Sequence, residues 1–263
     1  MTTSAEQIEV SLSALSDSHD RLVAAAGRLT GEAASGPSYC TDWSIAQVLS
    51  HLGSGAEIFG LMVAAGLHGL ESPGQEQFQE IWDVWNAKSP QDQVRDGLAE
   101  DGELVEQLAA TTPEQRRDWK LNIFGTERGL ADVVRMRLGE HALHSWDVEV
   151  ALDPRATIAG DAAGLVLDNM PELVAMVGKP TGENLRVHVT TEHPERFFEL
   201  VIAPDGVALA KAGPEPAAGD AILRLPAEAF ARLLAGRLAP EDPAPVQTQG
   251  VELDQLRVVF PGF

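Results

Sequence analysis

The run Glu140-His141-Ala142-Leu143-His144 brings a carboxylate and two imidazoles within five residues. Glu140 and His144 are four apart, so on a helix they stack on one face, where a carboxylate and an imidazole can share one ion. Val133, Arg137, Asp147 and Ala151 fall on the same face. That mixture is unusual for a plain core stripe, because an unpaired buried charge is costly. His51 offers a further donor. Val48, Gly55, Ile58 and Met62 share its helix face, so it points toward a core. Antiparallel bundles build sites from facing helices. His51, Glu140 and His144 together give two nitrogens and one oxygen, the three-ligand pattern of a catalytic zinc site with one open position. Spacing alone leaves His141 as an alternative to Glu140. Asp147 is placed to orient an imidazole from behind. Each residue also has a simpler reading: a solvated Glu–His pair, a hydrogen-bonded core histidine, a surface aspartate.

The elements that must position these residues split into two kinds. Residues 6–30 carry Ile8, Leu12, Leu15, His19, Leu22, Ala26 and Leu29 at helical spacing. Ser44-Ile45-Ala46-Gln47 has the form of a capping box and opens a helix to about residue 66. Helices are expected over 76–86, from Ser89-Pro90 through Leu108, over 126–152 ending at Asp153-Pro154, and over 161–177. From Asn184 the period changes to two. Strands are expected at 184–190, 198–203, 207–211 and 221–225, then a helix over 226–238 and a last strand near Gln247. The fold class expected is an α-helical four-helix bundle over 1–180, followed by a small α+β domain over 181–263 and joined near Lys179-Pro180-Thr181-Gly182.

Composition narrows the function classes. Forty acidic residues against 19 lysines and arginines give a formal charge of −21. Such a surface repels nucleic-acid phosphates and anionic membranes, so neither is an expected partner. No apolar run is expected to reach the roughly 18 residues of a membrane span. The first residues lack the basic start and apolar core of a secretory signal, and a cytoplasmic protein is expected. A single cysteine, Cys40, excludes an internal disulfide and a cysteine-cage zinc site.

Two motifs make the chain familiar. Cys40-Thr41-Asp42-Trp43-Ser44-Ile45 through His51-Leu52 resembles the C-x-x-W-[ST]-hydrophobic…H-L opening of the mycothiol-dependent maleylpyruvate isomerase family. Arg137 through Val148 resembles its second motif, R-x-x-E-x-x-x-H-x-x-D-hydrophobic. Those proteins are DinB-like four-helix bundles that hold a divalent metal, usually zinc. The resemblance places the three ligands on His51, Glu140 and His144. Residues 187–263 resemble the family's sterol-carrier-like C-terminal domain, with Leu233-Leu234-Ala235-Gly236-Arg237 and Val258-Val259-Phe260-Pro261-Gly262-Phe263 as the matching segments. Cys40 lies in the family's pre-helix position and is read as structural, since no cationic neighbour is evident to stabilise a thiolate. Trp43 is read as a packing anchor.

The resemblance implies an enzyme that uses zinc, or another divalent metal, and mycothiol as thiol cosubstrate. Its substrate would be a small electrophile, acted on by isomerisation of the maleylpyruvate type or by S-transfer. Arg237 is the candidate catalytic residue for holding a substrate carboxylate, since a guanidinium pairs with one bidentately. The alternative is a metal-bearing protein that binds a small molecule or lipid without turnover. Dependence on an added thiol separates the two.

Overall fold

The structure, a computed structural model, describes residues 4–29, 31–40 and 42–262. Thr30, Thr41 and Phe263, which close the first expected helix, stand in the tryptophan motif and end the C-terminal segment, lie outside the described residues. Its contacts divide the chain into two units, Met1–Ala156 and Thr157–Phe263.

The first unit contains α1 (Ser4–Ala26), a 3-10 turn at Gly31–Ser35, α2 (Ile45–His68), α3 (Gln75–Asn86), α4 (Pro90–Ala109), α5 (Pro113–Asp118), β1 (Lys120–Ile123), β2 (Thr126–Gly129) and α6 (Leu130–Leu152). Helices α1, α2, α4 and α6 form the bundle: α1 and α2 each pack on both α4 and α6, and α3 lies on α2. The starts of α2 and α4 follow from local chemistry. The Ser44 hydroxyl accepts from the Gln47 N–H while the Gln47 side chain accepts from the Ser44 N–H. Ser89 caps α4 with Pro90 in its first turn. Each such cap stabilises its helix by about 1 kcal/mol. Leu22, Ile45, Val48, Leu49, Leu52 and Val148 make a buried cluster joining α1, α2 and α6. Helices α2 and α4 approach unusually closely. A Cβ on Gly97 would stand 2.4 Å from the Leu49 carbonyl oxygen, and one on Gly53 would stand 2.7 Å from the Gly97 Cα.

The structure differs from the sequence expectations at several points. The helix expected from residue 126 begins at Leu130, and the residues before it form the antiparallel hairpin β1–β2. Its two-residue turn, Phe124-Gly125, has positive φ at both positions, which matches the twist of a tight hairpin. Buried Leu121 and Ile123 hold the hairpin on the bundle. Helix α2 also corrects the expectation about apolar runs. It has 24 residues and is long and apolar enough to cross a membrane by length and composition. That apolarity serves the bundle, since most of the helix is buried and α2 packs against α3, α4 and α6.

The second unit contains α7 (Gly160–Val177), β3 (Leu185–Glu192), β4 (Arg196–Ala203), β5 (Gly206–Lys211), β6 (Ala221–Pro226), α8 (Ala227–Leu234), β7 (Gln247–Gln249) and α9 (Leu253–Val259). The strands form one sheet in the order β5-β4-β3-β6-β7, with β3 and β6 parallel and the other pairs antiparallel. Val187 and Val189 on β3, Phe198 and Leu200 on β4, and Leu223 on β6 are fully buried, and the Phe198 ring lies 5.7 Å from that of Phe230 on α8. Helix α8 stops at Leu234, short of the expected residue 238, because the chain turns through Gly236 at φ +70°. Helix α9 follows the last strand, where no helix is expected from the sequence.

Helix α7 packs on α8 and β5. The division therefore falls at Ala156/Thr157, before α7, whereas the sequence expectation put it near residue 180. Helical periodicity cannot say which core a helix serves. A fragment of residues 1–156 should unfold cooperatively by circular dichroism, since its bundle is complete. A fragment ending at residue 180 adds α7 without its packing partners. It should melt at the same temperature and bind more of an apolar dye. A clearly higher melting temperature for the longer fragment would assign α7 to the bundle.

Candidate metal centre

Helices α2 and α6 bring His51, Glu140 and His144 together, with one donor atom from each lying within 4.8 Å of the others. The His51 Nε2 is 3.4 Å and the His144 Nε2 3.8 Å from the Glu140 Oε2. The two imidazole centroids are 4.7 Å apart and nearly perpendicular. Burial is graded across the cluster. The His144 side chain is 8% exposed, His51 35% and Glu140 49%. His51 thus sits at the rim and not in the core that its helix face suggested.

Asp147 lies behind His144, fully buried, and its Oδ2 is 2.8 Å from the His144 Nδ1. An ionised carboxylate only accepts, so Nδ1 carries the proton and the Nε2 lone pair faces Glu140 and His51. The Cys40 thiol donates to the same Asp147 oxygen at 3.1 Å, and the Tyr39 N–H donates to the Asp147 carbonyl. A thiol on a buried carboxylate lacks the cationic surroundings of a reactive cysteine. Trp43, expected from the sequence to be a packing anchor, is 37% exposed, and its ring lies 5.1 Å from that of His51 and 6.2 Å from that of His144. Burial alone would raise the Glu140 carboxyl. The hydrogen bond from His51 and the charges of His144, His51 and Arg137 outweigh it and bring the carboxyl down to about 2.

Two imidazoles and a carboxylate form a donor set suited to zinc and similar divalent ions. The Asp147 bond leaves the correct His144 nitrogen available, so these residues fit such an ion. His141 faces elsewhere. It is fully buried in the bundle, with Nε2 2.8 Å from Asp101 Oδ2 and Nδ1 near the hydroxyls of Ser18 and Ser145 at 2.9 and 3.0 Å. Arg237 belongs to the second unit. It is buried there, its Nη1 donating to the Ala235 carbonyl at 3.0 Å and its N–H to the Arg232 carbonyl at 2.7 Å.

Sequence reasoning missed the cluster around His141. Asp101 on α4 accepts from His19 on α1 at 2.6 Å, from His141 and from Arg137. The available signal was Asp101 on the same stripe as Gly97, Leu104 and Leu108, with His19 inside the apolar stripe of α1. Burial would raise the Asp101 carboxyl, but His141 and Arg137 hold it far below the carboxylate range. Burial pushes the His141 imidazole down despite Asp101. The Asp101 hydrogen bond raises that of His19.

The fold and the cluster define a class: a helical bundle with a His–Glu–His cluster that could hold a metal ion on facing helices, followed by a sheet-containing unit. The mycothiol maleylpyruvate isomerase N-terminal domain family matches residues 15–149, just over half of the chain. The chain belongs to that family. Similar solved structures include the crystal structure of the mycothiol-dependent maleylpyruvate isomerase, 15% identical, with a TM-score of 0.67 over 96% of this chain and 97% of that one. A histidine-to-alanine mutant of that isomerase aligns with a TM-score of 0.66 and 15% identity, over 94% of this chain and 96% of that one. At that identity the likeness establishes a common fold. No curated protein matches the chain.

The His19–Asp101 bond makes stability depend on pH with a definite sign. The folded-state pKa of His19 lies above its ordinary 6.5. Its contribution is therefore complete below 6.5 and is lost as pH rises through the higher folded value. Urea denaturation should show His19→Gln destabilised relative to the parent in mild acid, with the gap narrowing at alkaline pH. A gap that widened with pH would reverse the sign.

Proposed function

We propose that this chain is a metal- and thiol-dependent enzyme acting on a small electrophilic substrate, with His51, Glu140 and His144 as ligands and mycothiol as the thiol. The observation that carries the reading is the convergence of those three donors in a chain of this family. Zinc or another divalent ion held there would favour the thiolate, which is the nucleophile.

The chain's own residues do the rest. Asp147 holds the His144 ring with its proton on Nδ1. Glu140 stays anionic at any working pH. Trp43 lies beside the two imidazoles and flanks the ion they would hold. Arg237 is assigned to pairing a substrate carboxylate. For a maleylpyruvate-type substrate, the thiolate adds to one alkene carbon and the double-bond electrons move toward the conjugated carbonyl. The resulting single bond rotates. Elimination then re-forms the alkene as the trans isomer and releases the thiolate. In S-transfer the new carbon–sulfur bond is kept, the enolate carbon takes up a proton in place of the one the thiol lost, and the thiol is consumed.

The purified protein should hold close to one zinc per chain. His51→Ala and His144→Ala should lose it to a mild chelator that the parent withstands, whereas His141→Ala should keep the metal and lose thermal stability. Affinity should fall in acid because both imidazoles must be neutral to bind. With maleylpyruvate and mycothiol, turnover should require both metal and thiol. Thiol recovered at the end marks isomerisation, and stoichiometric loss marks transfer. Arg237→Gln should raise KM for a carboxylate substrate and leave the metal in place. A parent that binds no divalent ion, or turns over equally without thiol, overturns the reading.

A further inference from the structure

Two of the three candidate ligands, Glu140 and His144, come from one helix, and the helical repeat sets their spacing. The third, His51, comes from α2, so the offset between α2 and α6 decides whether it can reach the same ion. Arg137 stands beside that offset. It lies on α6 three residues before Glu140, and its Nη2 donates to the Leu52 carbonyl at 2.9 Å, one residue after His51. The same nitrogen donates to Asp101 on α4. Both side chains are 1% exposed. The pocket on α2 is fitted to the guanidinium, since a Cβ on Gly55, one turn after His51, would come within 3.0 Å of Arg137 Nη1.

Stability gives a weak reason for such a pair. Replacing both members of a buried ion pair with uncharged groups is often neutral or stabilising, because several kcal/mol of desolvation is avoided at each ion. A planar cation bonding one helix backbone while clamped by a carboxylate on another fixes geometry. Metal centres need that geometry to within about half an ångström.

We propose that Arg137, clamped by Asp101, is a positioning residue of the candidate metal centre: its bond to the Leu52 carbonyl sets the α2–α6 offset at which His51 joins Glu140 and His144 on one ion. The inference rests on the ligand reading above and is tested separately from it.

The test is a Co2+ titration of the full chain, read by chelator competition and by the visible absorption of the bound ion, which reports its donors and geometry. Three variants are compared with the parent. Arg137→Met with Asp101→Asn removes both charges and leaves an acceptor for His19 and His141. Gly55→Ala crowds the guanidinium while favouring the helix. Leu108→Ala, in the α4 core, lowers stability by opening a cavity away from the strut of Arg137 and Asp101. The double variant and Gly55→Ala should melt cooperatively, lose Co2+ affinity by about 10–100-fold and show an altered absorption band. Leu108→Ala should melt lower and keep the parent's affinity and band. Should the double variant not fold, Gly55→Ala decides the matter. Parent-like affinity and absorption in the folded strut variants would make Arg137 merely structural and leave the ligand assignment standing. A parent that binds no Co2+, or a His51→Ala variant that binds it like the parent, would instead remove the ligand reading and this inference with it.

Discussion

The buried carboxylate of Asp101 is the point at which all four bundle helices are bonded together. It is itself on α4, accepts from His19 on α1 and from His141 and Arg137 on α6, and reaches α2 through the Arg137 bond to Leu52. A lone carboxylate in such an interior would be untenable, and three donors make it stable as an anion. The charges are arranged accordingly. Arg137 is cationic, His141 is held neutral by burial, and His19, nearer the surface, is the partner that gains a proton most readily. The candidate metal centre sits on the two helices that this network ties to each other.

A second buried carboxylate does for the ligands what Asp101 does for the helices. Asp147 selects the tautomer of His144 and accepts from Cys40, while its backbone carbonyl accepts from Tyr39. The loop before α2 is thereby pinned to α6. The cysteine of the first motif and the aspartate of the second are two halves of one contact, which accounts for a thiol placed beside the candidate metal centre yet engaged by a carboxylate. Trp43, from the same loop, sets its ring beside both imidazoles.

The second unit uses ion pairing differently. Arg232 on α8 makes a two-pronged contact with Glu228 and a further bond to Asp242, within the segment that carries Gly236 and Arg237. The Arg232 carbonyl receives the Arg237 N–H, so the turn presenting Arg237 is fixed by this buried pair. In a chain of net charge −21, two carboxylates hold the positive charge of buried Arg232 in a defined orientation.

The sequence by itself determined most of what short-range periodicity and local chemistry govern, the β1–β2 hairpin and the end of α8 excepted. The caps at Ser44 and Ser89, the stop at Asp153-Pro154, the change of period after Asn184, and the pairing of Glu140 with His144 all follow from residues a few positions apart. The apolar face of its helix offered His51 as their partner, and the resemblance of two motifs placed the three ligands on His51, Glu140 and His144. Tertiary structure decided what depends on which faces meet. Helical spacing admitted both Glu140 and His141, and only the packing of α1 and α4 turned His141 inward onto Asp101 while Glu140 stayed at the rim beside His51. Helix α7 has an apolar face that would suit either unit, and only its packing on α8 and β5 assigned it to the second. Asp101 looked like one acidic residue among many because its three partners lie 36 to 82 residues away. A buried charge is made tolerable by groups distant along the chain, so its role is legible only once the chain has folded.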